Sequence, residues 1–385
     1  MLQAEYRQLP LLFKHQAVTI SAMDKIVIDA RELNTSSGRY VERLLFYLQK
    51  IDNNHKYQVL LRPADMEGWN SSNPNFEKIV SPYKEFTLSE QSGLKSQVEA
   101  LRPKLTHFTF TQQPIRFKGK AITTVHDLTT ARFNNPAKNF FIFKFKQQVY
   151  KYVIKKVAHK SERIIVPSKY VKDDLVSFSG INASKVSVIY ESADLIKEGS
   201  EEIKELSSKK FLMYIGRPTP HKNLNRLIDA FAIVREKHPE TWLVLAGKKD
   251  VNYMKIEEGV LKKDLNNILF TGFVSEGQLK WLYENCAAYV FPSLSEGFGL
   301  PGLEAMVCGA PVISSKATCL PEVYGEAAHY FDPLDIKDMA RSISDVLQSE
   351  GLRQSLINKG RNQAKKYSWQ RTAVQTLKIY EEELA

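Results

Sequence analysis

A chain of 385 residues, 43% hydrophobic and 25% charged, has the composition of a globular protein with material for two domains, each able to enclose its own core. No run approaches the roughly 18 apolar residues of a membrane span, and three cysteines (Cys286, Cys308, Cys319) without CxxC spacing indicate neither a zinc site nor a disulfide framework, so a reducing cytoplasm is the expected compartment. The net charge of +11 is lopsided: residues 1–190 hold 29 Lys+Arg against 16 Asp+Glu (+13), residues 191–385 hold 25 against 27 (−2), so the first half is the one expected to meet an anionic surface.

Residues 1–22 lack a basic segment followed by a long apolar one, which argues against a secretory signal. Met23 directly precedes the first core strand, so it is either the natural start or the end of a poorly ordered extension. From there short apolar or β-branched runs alternate with helix-period segments: KIVIDA (25–30), YQVLL (57–61), EKIV (77–80), THFTF (106–110), AITTVHD (121–127), RIIVPS (163–168) and VSVIYES (186–192). Residues 193–210 are polar, acidic and serine-bearing, and read as an interdomain linker. A second series follows in FLMYIG (211–216), TWLVLAG (241–247), NILFTG (267–272), AAYVFPS (287–293), PVISS (311–315) and HYFDP (329–333), and helices fill the tail from 335. The alternation predicts two doubly wound parallel α/β domains, 23–192 and 211–367, with ligands bound at the carboxyl ends of the strands in the cleft between them.

Five stretches carry candidate chemistry. In NTSSGRY (34–40), Gly38 opens the first helix, where close backbone approach and free N–H groups suit a phosphate. Strand AITTVHD delivers His126 and Asp127 to the cleft edge; His126 is able to hold a sugar hydroxyl or an acceptor, and Asp127 fits a cap on the next segment. Residues 138–163 mix many lysines with six aromatics and one glutamate, which suits an anionic membrane surface; yet Phe141, Phe145, Val149, Tyr152 and Val153 recur at helical spacing, as a core face does, and both readings stay open. Nucleic acid is a poorer match, because no recognised motif accompanies the charge. In GRPTPHKN (216–223), Gly216 ends a strand and a Pro-rich turn offers Arg217 and Lys222 to one diphosphate; the plainer alternative is a pair of solvated turn residues. Finally, SLSEGFGLPGLEAMVCGAPVISS (293–315) places Glu296 in a glycine loop and Glu304 in a short helix opened by Pro301. The helix N-terminus attracts an anion while the carboxylates accept neighbouring hydroxyls, and anion plus polyol describes a nucleotide sugar.

Glu296 and Glu304, with seven residues between them and GFGLP inside, resemble the E-x7-E signature of glycosyltransferase family 4, retaining enzymes of the GT-B fold. GRPTPHKN is similar to that family's G-R-x4-K-N element, HD to its histidine, and Trp369 to the point where its last helix (368–385) crosses back onto the first domain, although an ordinary packing aromatic reads the same way. The family usually has two glycines in the first loop, and Ser36 stands where the first would be. The resemblance implies that Arg217 and Lys222 hold the diphosphate and Glu304 the ribose. It also implies that Glu296, with backbone from Gly297 through Phe298 and Gly299 to Leu300, holds the donor sugar, and that His126 touches it. It further implies no metal and no cofactor besides a GDP- or UDP-linked donor substrate. The combination of HDLTTARF with GRPTPHKN looks most like bacterial mannosyltransferases of surface-polysaccharide assembly, acting from GDP-mannose on a glycan or polyprenyl-diphosphate-linked glycan at the cytoplasmic membrane face. UDP-glucose and UDP-N-acetylglucosamine remain open as donors, and a nucleotide-sugar 2-epimerase or a non-catalytic sugar-nucleotide-binding scaffold shares the same features.

Overall fold

Every apolar run named above contains a parallel strand in the computed structural model, which describes residues 23–35, 38–133, 140–263 and 265–385. The expected 1–22 extension and Ser36 lie outside the described residues. The first sheet comprises β1 (Lys25–Asp29), β2 (Lys56–Leu61), β3 (Phe76–Val80), β4 (Leu105–Phe108), β5 (Ala121–Thr124), β6 (Arg163–Val166) and β7 (Val186–Val188), in the order β3-β2-β1-β4-β5-β6-β7. The second comprises β8 (Phe211–Ile215), β9 (Trp242–Ala246), β10 (Ile268–Gly272), β11 (Ala288–Phe291), β12 (Val312–Ser315) and β13 (Ala328–Phe331), in the order β10-β9-β8-β11-β12-β13. Each sheet grows outward on one side and then on the other, so the order reverses at β1/β4 and at β8/β11. Those reversals open a crevice at the strands' carboxyl ends. Ile26, Val27 and Ile28 are buried in succession, as are Leu243, Val244 and Leu245, because helices cover both faces.

Several apolar runs outlast their strands. Registered pairing ends at Thr124 and Val188; Val125 and Ile189 still donate to Ile165 O and Val166 O, and the chain then goes on past the end of β6. Among these surplus residues His126, Asp127 and Glu191 face the crevice.

The helix Arg39–Ile51 buries Tyr40, Val41, Leu44, Leu45 and Leu48 on one face and turns Glu42 and Lys50 outward. Against it packs the final helix, Trp369–Leu384, whose Trp369, Ala373, Ile379 and Tyr380 enter the first sheet's core. Tyr380 Oη lies 2.5 Å from His107 Nδ1, and Thr372 Oγ1 donates to Tyr190 O at 2.7 Å. Burial holds His107 down at about 3, so it serves this network as a neutral ring. The two preceding helices, Ile336–Gln348 and Glu350–Ala364, belong instead to the second sheet. The chain thus ends by stitching itself to the lobe in which it began.

In the helix Phe140–Lys160 the core-packing face is not the one that the spacing of Phe141, Phe145, Val149, Tyr152 and Val153 predicted. Its inward face is Gln147, Tyr150, Ile154, Val157 and Ala158. Phe141, Phe145, Val149 and Tyr152 point to solvent, and Val153 is half-buried. The helix carries apolar spacing on two faces, and periodicity alone does not say which of them meets the sheet. Among the described residues, no helix is long and apolar enough to cross a membrane.

Replacing Trp369 with Ala removes a buried indole from the seam between the first and last helices. It should destabilise the first lobe by about 3–5 kcal/mol, read by denaturant unfolding; a loss under about 1 kcal/mol would mean that the final helix does not hold the lobe.

Candidate active site

The loop after β11 and the turn after β8 are zipped together by backbone and by one asparagine. Leu294 N donates to His221 O at 2.7 Å, and Asn223 Nδ2 donates to Pro292 O at 3.1 Å and to Pro333 O at 2.8 Å. Asn223 adopts a left-handed conformation (φ 60°), which asparagine tolerates better than most residues. The zipper sets Lys222 opposite Glu296, with Nζ 2.6 Å from Oε1. Two residues expected to hold different parts of a ligand therefore neutralise each other here.

The glycines of the same loop are dictated by close approach. A Cβ on Gly297 would lie 1.9 Å from His126 O of the facing lobe. Gly299 has φ 92° and starts the helix Leu300–Val307, with Pro301 in its first turn. On that helix Glu304 is buried, and its Oε1 accepts from Arg39 Nη1 at 2.8 Å. Burial raises the Glu304 pKa, and Arg39 opposes the rise. Arg39 sits in the first turn of its own helix, where the dipole disfavours a cation. The carboxylate across the cleft compensates it.

From the first lobe, His126 is held at both ring nitrogens. Nδ1 lies 3.1 Å from Glu191 Oε1 and Nε2 lies 3.1 Å from Thr109 O. A carboxylate and a carbonyl only accept, so this pair of partners favours the doubly protonated ring. Burial alone would lower its pKa, but the hydrogen bond and charge of Glu191 outweigh burial and raise it. Asp127 Oδ1 accepts from Thr129 N at 2.7 Å, the capping role expected of it. His221, pushed down to about 4 by burial and by Lys222, is neutral.

These groups surround one cavity of about 590 Å³ between the two sheets' crevices. His126, Gly216, Arg217, Lys222, Glu296, Gly297, Phe298, Gly299, Leu300 and Glu304 all line it. Gly38 does not: a Cβ there would strike Leu33 O at 1.8 Å, so its missing side chain serves the turn's own backbone rather than close approach to the cavity. The residues that line the cavity beside it are Arg39 and Tyr40. Charge across the cavity is nearly balanced by pairs: Lys222 with Glu296, Arg39 with Glu304, His126 with Glu191. Two charges are left over among the described residues, Asp127, which accepts only from Thr129 N, and Arg217. Arg217 is exposed at the cavity wall and, among the described residues, no carboxylate pairs with it.

Sequence reasoning assigned no role to Arg39, Tyr40 or Glu191. Arg39 had a local signal, a cation where the helix dipole opposes one; Glu191, at the end of the run VSVIYES, had none beyond its position.

Two family profiles match, Glycosyltransferase Family 4 over residues 37–196 and Glycosyl transferases group 1 over residues 196–363. The chain is 35% identical over 184 residues to O-antigen chain mannosyltransferase B of Escherichia coli, an alignment spanning 46% of this chain and 47% of that protein, so less than half of the relative's length is matched. The fold superposes on sucrose-phosphate synthase from Thermosynechococcus elongatus with a TM-score of 0.75 at 18% identity, over 93% of this chain and 98% of that one. It also superposes on Anabaena HepE, solved in complex with UDP-glucose, with a TM-score of 0.70 at 16% identity, over 93% and 99%. The architecture is GT-B, and the chain belongs to the group 1, family 4 glycosyltransferases.

Because the folded-state pKa of His126 is raised, its stabilising contribution is complete below about pH 6.5 and fades as pH rises through the folded-state value. Replacing Glu191 with Gln should therefore cost about 1.5–3 kcal/mol near pH 6 and clearly less near pH 9, read by urea unfolding at the two pH values. A gap that stays constant or widens with pH would show that His126 is not held as a cation.

Proposed function

We propose that the protein is a retaining glycosyltransferase that moves a hexosyl group, mannosyl from GDP-mannose, from a nucleotide sugar to a glycan or lipid-linked glycan acceptor. The observation that carries this reading is the unmatched Arg217 on the wall of a cavity whose other cations are paired with carboxylates. Such a cavity accommodates an added anion beside carboxylates that suit hydroxyls. Mannosyl transfer is supported by the name of the Escherichia coli relative, O-antigen chain mannosyltransferase B, and by the likeness of HDLTTARF and GRPTPHKN to mannosyltransferases.

In this reading the diphosphate enters between Arg217 and Lys222, and Lys222 exchanges Glu296 for phosphate oxygens. Glu296 is then free to accept hydroxyls of the donor sugar, together with the backbone of Gly297 to Leu300. Glu304 accepts the ribose hydroxyls, and Arg39, released from Glu304, stays within the same cavity to meet negative charge. Departure of the nucleoside diphosphate builds up charge on its terminal phosphate, and the cationic pair stabilises that charge more than it stabilises the ground state. The acceptor hydroxyl attacks from the face the leaving group vacates, and the leaving phosphate takes its proton. The new glycosidic bond forms as the sugar–phosphate bond breaks, with retention at the anomeric carbon. No covalent enzyme intermediate and no side-chain base are required. Arg217 and Lys222 supply the positive charge in place of a metal.

The test is turnover. Protein incubated with GDP-mannose and a mannose-ended oligosaccharide should release GDP and form an α-linkage detectable by NMR, at a rate unchanged by EDTA, and Glu296→Gln should slow it about a hundredfold. Turnover of UDP-glucose or UDP-N-acetylglucosamine instead would reassign the donor. Release of an epimerised sugar without acceptor would replace transfer with epimerisation, and no turnover of any donor would leave a binding scaffold.

A further inference from the structure

The outer face of the Phe140–Lys160 helix is the largest unexplained feature of the first lobe. Phe141, Phe145, Val149 and Tyr152 stand 80, 71, 43 and 52% exposed along it. A second exposed apolar segment lies beside the same helix: the Phe86 ring is 6.1 Å from that of Tyr150, on the helix's inner side, so the 86–88 turn runs along its flank. Phe86 is 61% exposed and Leu88 86%. Phe86 also has φ 61°, an uncommon conformation for an aromatic residue, fixed in part by Glu90 Oε2, which accepts from its N–H at 3.1 Å. The backbone is held in a strained state that keeps a large apolar ring in water. Large apolar side chains exposed together along one helix face mark an interaction surface.

Charge identifies the partner. From Leu128 to Ser161 the sequence holds no Asp or Glu. Lys146, Lys155 and Lys156 are exposed on the helix, and Lys151 is half-buried. The nearby carboxylates are engaged elsewhere: Glu85 lies 3.6 Å from Arg62, and Glu90 lies 3.1 Å from Arg31. A helix with aromatic side chains on its outer face, lysines around them and no anions is complementary to the headgroup layer of an anionic bilayer, where rings enter the acyl boundary and ammonium groups stay with phosphates. Inward, the helix is tied to the cleft wall. Gln147 Nε2 donates to Thr130 O at 3.1 Å and to Phe133 O at 3.2 Å, and Thr130 lines the cavity.

We propose that the surface formed by the 86–88 turn and the outer face of the Phe140–Lys160 helix seats on an anionic lipid bilayer. Seated there, the protein holds its cleft at the lipid surface, where a lipid-anchored acceptor presents its hydroxyl; this second clause rests on the glycosyl-transfer reading, the docking itself does not.

The experiment is co-sedimentation of the full chain with vesicles of phosphatidylglycerol and phosphatidylcholine, with pure phosphatidylcholine as reference. The Leu88→Glu/Phe145→Glu variant changes two exposed side chains outside the cavity, so its melting temperature and GDP binding should match the parent. The parent should pellet with anionic vesicles only, less so at high salt, and the variant should bind them about tenfold or more weakly. Equal binding by both proteins, or no preference for anionic vesicles, would overturn the proposal. A dimer that the variant dissociates, with no vesicle binding, would overturn it in favour of contact between copies. Vesicle binding without GDP binding would keep the docking surface and remove the catalytic reading, so the two failures are separable.

Discussion

The pairing of Lys222 with Glu296 is the interaction around which the cleft is arranged. Two opposite charges taken largely out of water cost desolvation that their attraction only partly offsets, so such a pair is weak support for stability by itself. In the proposed reading its worth lies in Lys222 exchanging the carboxylate for phosphate oxygens. The chain goes to some length to position it: the left-handed Asn223 ties the turn after β8 to the end of β11 and to Pro333, and Gly297 lets that loop reach the backbone of His126. Beside the asparagine's two hydrogen bonds, those that Leu294 N donates to His221 O and Glu296 N donates to Thr318 Oγ1 hold the register between ammonium and carboxylate.

The lobes meet through polar contacts around the cleft. Ser168 Oγ donates to Gly297 O at 2.8 Å, Thr129 Oγ1 and Ser295 Oγ lie 3.0 Å apart, and Arg39 reaches Glu304. Glu322 of the second lobe accepts from the N–H groups of Lys169 and Tyr170, at the start of a first-lobe helix, at 2.8 and 3.0 Å. The apolar cores stay largely separate, one around the second sheet and the rest around the first. Contacts of this type exchange with water at modest cost, whereas separating a shared hydrophobic core would not, so hinge motion between the lobes is the natural mode for this molecule. Closure would exclude water from the cavity and strengthen every charge interaction in it.

Much of this was legible in the residues. Buried parallel strands read as short β-branched runs because helices cover both their faces, and glycine, proline and glutamate at fixed spacing identified the loop after β11 before any coordinates did. Pairings between distant segments were not legible. Nothing local announces that Arg39 meets Glu304 or that Glu191 holds His126, since sequence separation carries no trace of a contact across the sheet. A glycine at a helix start signals close backbone approach without saying to what; at Gly38 the atom a side chain would strike is Leu33 O. The Phe140–Lys160 helix misled for a related reason, since two apolar faces give the same period and only the sheet decides between them.

The most direct measurement is calorimetric titration of GDP and UDP into the parent protein, Lys222→Gln and Arg217→Gln. If a nucleoside diphosphate docks between these two cations, the parent binds one equivalent and each variant loses about tenfold or more in affinity, the share of one charge-assisted hydrogen bond. Affinity unchanged in both variants, or no binding by the parent at saturating concentration, would contradict the cleft's assignment as a nucleotide-sugar site.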